Sequence, residues 1–180
     1  MFLLKINEKI ALKQVELQDS DALFQLTDAS RTYLKEWLPW LDHTRDVSDT
    51  RNFIRAAMRG HFDEASLNAI IIYEGKVAGI AGFNKIDRSN KTAYIGYWLG
   101  EQFQGNGIMT TVAGALTQYA FEHLSLNKVE IRAAVGNVKS RSIPQRLGYK
   151  HEATIRQAEW LYDHYVDHAV YGMLRAEWTK

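Results

Sequence analysis

Residues 102–107, Gln-Phe-Gln-Gly-Asn-Gly, stand between the apolar run AYIGYWLG and the segment TTVAGALTQYAFEHL, whose apolar residues have helical spacing. A helix opening at Gly107 leaves its first N–H groups without intrahelical acceptors and carries partial positive charge at that end, which suits an anion. Glycines at 105 and 107 let an anion come close to the backbone. A P-loop needs Gly-Lys-Ser/Thr after the second glycine, whereas Ile108 and Met109 follow here. A dinucleotide fingerprint needs a third small residue, which Thr110 only approximates. It also needs an acid at the end of the next strand, where the sequence reads Ala133-Ala134-Val135-Gly136. On glycine spacing alone, an anion cradle and a plain strand-to-helix turn both stay open.

Other reactive constellations are sparse. Cysteine is absent, hence no disulfide, thiolate nucleophile or thiolate metal site. His164 and His168 are four apart, but no glutamate follows the first and YDHYVDHAVY alternates like a strand, so no metal is expected. No Gly-x-Ser-x-Gly elbow occurs, which speaks against a serine hydrolase. The 22 basic and 21 acidic residues nearly balance at a net charge of +1, with no basic run, so no nucleic-acid partner is expected. The opening residues MFLLKINEKIALKQVEL lack a long uncharged core, and about 18 apolar residues nowhere run together. Neither a signal peptide nor a membrane span is expected, and a cytoplasmic setting is the default.

The elements that must position these residues can be read from periodicity. A chain of 180 residues without linker or repeat fits one domain. A strand is expected over 10–17, then a helix capped by Asp19 or Ser20 with Ala22, Leu23, Leu26 and Ala29 on one stripe. A second helix should begin near Ser48 with Phe53, Ile54, Ala57 and Met58 inward. LNAIIIY, VAGIAGFNKI and TAYIGYWLG, separated by EGK and RSNK turns, predict an antiparallel meander. A helix over 107–123 and the strand KVEIRAAV follow, so that strand should run parallel to TAYIGYWLG. A short helix over 137–147 closes at Gly148, and the tail alternates as strands. Gly96 inside a β-forming run is unexpected, since glycine weakens a strand; it marks a bulge or a close approach to the backbone.

Gln102-Phe103-Gln104-Gly105-Asn106-Gly107 resembles Q/R-x-x-G-x-G/A, the acetyl-CoA pyrophosphate loop of the GCN5-related N-acetyltransferase (GNAT) superfamily. Asn137-Val138-Lys139-Ser140, followed by Ile143-Pro144 and Leu147-Gly148-Tyr149, is similar to that superfamily's N-x-x-S...L-G-F segment, with tyrosine where phenylalanine is frequent. The two signals flank one helix and one strand, as the family requires. Tyr33-Leu-Lys-Glu-Trp-Leu-Pro-Trp-Leu-Asp42 and a helix starting between Asp46 and Thr50 resemble the RimJ/RimL-type branch, which acetylates the N-termini of ribosomal proteins.

The resemblance implies an α/β (α+β) GNAT fold: a mixed, mostly antiparallel seven-stranded sheet with a central splayed parallel pair and about four helices. It implies acetyl-CoA as co-substrate, held by Leu99, Gln102, Gln104, Gly105, Asn106, Gly107, Ile108, Met109, Thr110, Asn137 and Ser140, and no metal. The strand carrying Gly96 should bulge and splay, with an N–H near Leu99 polarising the thioester carbonyl. Glu101 is the candidate base, acting through water, against a plain role as a solvated carboxylate near the helix terminus. Ser140 is the candidate proton donor to the leaving thiolate, and Trp37 and Trp40 are candidates for the acceptor pocket. The acceptor is expected to be a protein N-terminus, with a small amine or polyamine, or a non-catalytic acyl-CoA-binding role, as alternatives; a homodimer is expected.

Overall fold

The computed structural model describes residues 2–179. Its strands are β1 (Phe2–Lys5), β2 (Ile10–Gln14), β3 (Leu67–Tyr73), β4 (Lys76–Asp87), β5 (Thr92–Leu99), β6 (Lys128–Ala134), β7 (Lys150–Leu161) and β8 (His164–Leu174). Its helices are α1 (Ser20–Ala29), α2 (Arg31–Lys35), α3 (Val47–Phe62), α4 (Ile108–Glu122) and α5 (Val138–Arg146). The strands form one sheet in the order β1-β2-β3-β4-β5-β6-β8-β7, and every pairing is antiparallel except β5 with β6. This is the mixed, mostly antiparallel sheet expected, with eight strands instead of seven and five α-helices instead of about four.

The differences have local causes. The first expected strand ends at Gln14, because Glu16 and Asp19 close a short 3-10 turn in which Asp19 Oδ2 accepts from the Glu16 N–H at 2.9 Å. An additional strand, β1, pairs ahead of it. In α1 Leu23 and Leu26 are buried, whereas Ala22 and Ala29 face solvent. The second long helix starts earlier than Ser48, because the Asp46 carboxylate accepts from the Ser48 and Asp49 N–H groups. Its Ile54 and Ala57 are buried, but Phe53 and Met58 are exposed.

Alternation along β3 and β4 sends side chains to two different cores. Ile70 and Ile80 pack with Leu23, Ile54 and Ala57 under α1 and α3. Ala69, Ile71, Ala81 and Phe83 pack with Ile108, Val112 and Leu116 of α4 on the other face. The Tyr73–Lys76 turn uses Glu74 and Gly75 with φ of 47° and 79°, the left-handed pair that suits a two-residue hairpin.

β5 and β6 pair only from Thr92 opposite Lys128 to Ile95 opposite Ile131. Beyond Ile95 the two strands continue without pairing. The irregular residue lies across from the splay, on β4: Phe83 pairs with Ile95 and Lys85 with Tyr94, so Asn84 is the extra residue of a bulge. A Cβ at Gly96 would stand 2.1 Å from Asn84 Nδ2. Gly96 therefore answers a close approach, and the bulge itself is one strand over from the one expected to carry it.

Candidate functional site: two clefts joined through the sheet

The unpaired end of β5 has a fixed hydrogen-bonding phase. Gly100 N–H donates to Ala78 O at 2.8 Å, and in an antiparallel ladder bonded and non-bonded residues alternate. Trp98 and Gly96 thus turn their backbone groups to β4, while Tyr97 and Leu99 turn theirs toward β6, where no strand receives them. Their N–H groups are directed into the gap.

A cleft of about 910 Å3 runs from this gap to the start of α4. Gly105, Gly107 and the first turn of α4 line it. Gly105 and Gly107 have φ of 78° and 69°, and a Cβ at either would meet nothing within 4 Å, so the space above both is open. The first helical bond is Thr111 N–H to Gly107 O, which leaves the N–H groups of Ile108, Met109 and Thr110 without helical acceptors. The side chains of Ile108 and Met109 are buried in the core, so what they offer the cleft is backbone. Asn106 Nδ2 donates to Phe103 O at 3.1 Å and Gln104 O at 3.2 Å, holding the loop in shape. Lys139 Nζ donates to Gln104 Oε1 at 3.1 Å and brings a cation to this end of the cleft, with Arg146 nearby in the wall. The turn can therefore hold a diphosphate-sized anion.

A second cleft of about 830 Å3 opens on the α1/α3 face, lined by Trp37, Trp40, Asn84, Gly96, Glu130, Glu159 and His168 among others. Trp37, Tyr97, Trp98, Asn137 and Ser140 line both clefts, so the two meet at the splay. Asn137 Oδ1 accepts from the Ser140 N–H at 3.1 Å and caps α5. Ser140 Oγ stands 3.4 Å from Tyr97 Oη, and the Tyr97 hydroxyl donates to Ser140 O at 3.1 Å. Burial pushes the Tyr97 hydroxyl up to about 12. The segment carrying the two tryptophans is clamped at both ends: Tyr162 donates to Leu38 O and accepts from the Leu41 N–H, and Arg31 donates to Leu41 O and Thr44 O at 2.8 Å each.

Two carboxylates reach the second cleft. Glu130 is buried and already accepts from Arg132 Nε at 2.6 Å, whereas Glu159 Oε2 meets His168 Nε2 at 3.1 Å. Glu159 and His168 thus line that space as a hydrogen-bonded pair, and His43 lines it as well.

Most residues expected at the site lie in these two clefts: Leu99, Gln104, Gly105, Asn106, Gly107, Ile108, Met109 and Thr110 on the first, Trp37, Asn137 and Ser140 on both and Trp40 on the second. Two do not. Glu101 is exposed on a 3-10 turn, its N–H bonded to Ser30 Oγ at 3.1 Å, and lines neither cleft. Gln102 is exposed on the same turn, outside both. Sequence reasoning missed Tyr97, Lys139 and Glu159. His168 was visible only as half of a histidine pair, and its partner His164 lies at the β7–β8 turn against Asp163 Oδ1 at 2.6 Å. Among the described residues no cluster suited to a metal ion occurs.

A family model described as an acetyltransferase (GNAT) domain matches residues 9–150. The ribosomal-protein-serine acetyltransferase of Escherichia coli (strain K12) is 31% identical over 171 residues, covering 95% of this chain and 96% of that one. RimL, a ribosomal L7/L12 alpha-N-protein acetyltransferase solved in complex with coenzyme A, superposes with a TM-score of 0.93 at 28% identity, covering 97% of this chain and 98% of that one. The microcin C7 self-immunity acetyltransferase MccE, solved with acetyl-CoA and AMP, gives a TM-score of 0.92 at 33% identity over 94% of each chain. With the family model spanning residues 9–150 and the E. coli relative matched along nearly the full length, the chain belongs to the GNAT acetyltransferases.

Proposed function

We propose that this protein transfers an acetyl group from acetyl-CoA to the α-amino group at the N-terminus of a ribosomal protein, by direct attack within a ternary complex. The observation that carries the reading is the junction of the two clefts: an amide cradle for a diphosphate leads into a gap in the sheet, and that gap opens on a cavity lined by the hydrogen-bonded pair of Glu159 and His168. The residues fit the co-substrate. Open space above Gly105 and Gly107 and the cation of Lys139 suit its diphosphate, and the gap beyond Ile95 suits an extended pantetheine arm.

The roles then follow from position. The Leu99 N–H, turned into the gap, stabilises negative charge that develops on the thioester oxygen. Glu159, with His168 behind it, accepts a proton from the incoming ammonium, a modest task because an α-amine with a pKa near 7.7–8.0 is already roughly 10–15% neutral at pH 7. This replaces Glu101 as the candidate base. Ser140, shared by both clefts, passes its hydroxyl proton to the leaving thiolate and regains one from the second proton that the attacking nitrogen sheds as the amide forms. Trp37 and Trp40 shape the acceptor side.

Ribosomal acceptors are supported by what the E. coli relative and RimL are named for. A small-molecule acceptor is the second reading, because MccE, with a similar fold and identity, was solved with AMP. The reading includes a cytoplasmic setting and a homodimer. β7 supports the latter, being a sheet-edge strand exposed along most of its length. Incubation with acetyl-CoA and cell extract, followed by mass spectrometry of N-termini and of small metabolites, tests the acceptor. Acetylated ribosomal N-termini are expected, and label confined to small molecules would overturn the protein acceptor. Coenzyme A binding by calorimetry with no transfer to either class would leave a non-catalytic module.

A further inference from the structure

Pro144 lies inside α5. Proline has no N–H, and its ring crowds the carbonyl four residues back, so Ser140 O loses its helical partner. Such a carbonyl needs another donor, since a backbone acceptor left unpaired away from water is costly. The donor is the Tyr97 hydroxyl, at 3.1 Å.

We infer that Tyr97 is a positioning residue for Ser140, and that Pro144 opens the carbonyl by which Tyr97 holds it. The inference rests on the acetyl-transfer reading for what Ser140 does, though the latch itself is a matter of geometry. Ser140 is then fixed through both backbone groups: its N–H by Asn137 Oδ1 at 3.1 Å and its carbonyl by Tyr97. Its hydroxyl, at the junction of the clefts, makes only a long contact to the Tyr97 oxygen at 3.4 Å. Tyr97 comes from β5, two residues before Leu99, and lies past Ile95, where the pairing of β5 with β6 has ended. The Tyr97–Ser140 bond thus bridges the opening at the level where ladder bonds are missing. It sets the distance between the strand that offers the Leu99 N–H and the helix that offers the Ser140 hydroxyl. An ordinary residue at 144 would return an N–H to Ser140 O and make Tyr97 dispensable as a donor.

A double-mutant cycle tests this with two independent readouts. Tyr97→Phe should lower the melting temperature by roughly 3–6 °C, the consequence of an orphaned carbonyl in a domain of this size. In a Pro144→Ala background the backbone N–H regained at that position takes over, and the same Tyr97→Phe change should cost less than about 1 °C. Equal losses in both backgrounds overturn the latch. In acetyl-transfer assays Tyr97→Phe should lower kcat about tenfold while the acetyl-CoA KM stays within about twofold, since what is lost is the aim of Ser140 and not binding. A rise in acetyl-CoA KM with kcat unchanged would make Tyr97 a wall of the pantetheine channel and refute the positioning role. The thermal arm needs no turnover, so absence of transfer by the unmodified protein would sink the functional reading while leaving the latch to be judged on melting alone.

Discussion

Glu159→Gln separates the two carboxylates that compete for the role of base. Glutamine keeps the size of the side chain and a hydrogen bond to His168, 3.1 Å away, but cannot take a proton. A positioned base is worth about 10²–10⁴ in rate, and the low end applies here because an α-amine is already partly neutral. A loss of about 10²-fold in kcat/KM at pH 7 is expected with a peptide beginning with serine, followed by release of the coenzyme A thiol. The deficit should also depend on pH. Between pH 7 and pH 9 the neutral fraction of the amine rises roughly sevenfold, so the variant should recover that factor relative to the unmodified protein if deprotonation is what Glu159 supplies. Glu101→Gln, altering an exposed carboxylate outside both clefts, should stay within about twofold. If Glu101→Gln abolishes turnover while Glu159→Gln is silent, the acceptor cleft has been read on the wrong side. If Glu159→Gln loses the same factor at both pH values, Glu159 orients the amine and does not deprotonate it.

Gly107→Ala should fold, because its Cβ meets nothing, but left-handed strain of about 1–2 kcal/mol should lower the melting temperature by roughly 3–6 °C. The methyl would stand in the anion space, so the acetyl-CoA KM should rise with the acceptor KM unchanged; parallel rises would refute the cradle. Gly96→Ala places a Cβ 2.1 Å from Asn84 Nδ2, a flexible side-chain end that would be driven into the acceptor cleft. The acceptor KM should rise, and Asn84→Ala in the same chain should restore it; failure of that rescue would mean that the strand itself had moved. Burial raises Tyr97 from 10.0 to about 12, so its neutral form is favoured in the folded state. That stabilisation is whole below pH 10 and is lost as pH rises toward 12, by at most about 3 kcal/mol. Denaturant titrations across this range should show a shallower decline in Tyr97→Phe.

Local chemistry made much of the fold legible. Residues 67–99 alternate or run apolar between short polar turns, and the strands lie where that pattern puts them, although Glu74 and Lys91 take left-handed backbone that their types do not favour. The glycine turn was legible for a local reason too: φ near +70° at 105 and 107 is a requirement that few residues other than glycine meet. What escaped depends on pairing across the sheet. β1 became visible only through its partner β2, and the outward placement of Phe53 and Met58 could not be told from an inward one by period alone. Glu101 is the base that its place beside the loop suggests; the 3-10 turn exposes it outside both clefts, and no residue pattern announces a single turn of that kind. Glu159 sits on a strand whose register with β8 shifts between Ile155 and Glu159, so alternation could not assign its face. Glu159 pairs with Val166, and the bulge lets its side chain reach His168, which pairs with Ile155.

The splay itself explains why these particular residues stand together. A continuous β5–β6 ladder would consume the backbone groups of Tyr97 and Leu99 and close the passage between the faces of the sheet. Opening it leaves unpaired polar groups, which a folded chain tolerates only where other donors, acceptors or a ligand satisfy them. Here the bulge at Asn84 and the side-chain-free Gly96 shape β5 as it leaves β6, and the Tyr97 hydroxyl ties the open end to α5 through the carbonyl that Pro144 leaves bare. The groups still unanswered, above all the Leu99 N–H, are those that point at the junction of the two clefts. A break between β3 and β4 would have opened between the two cores and not between a cradle and the second cleft, so the position of the break, as much as any one side chain, supports the transfer proposed here.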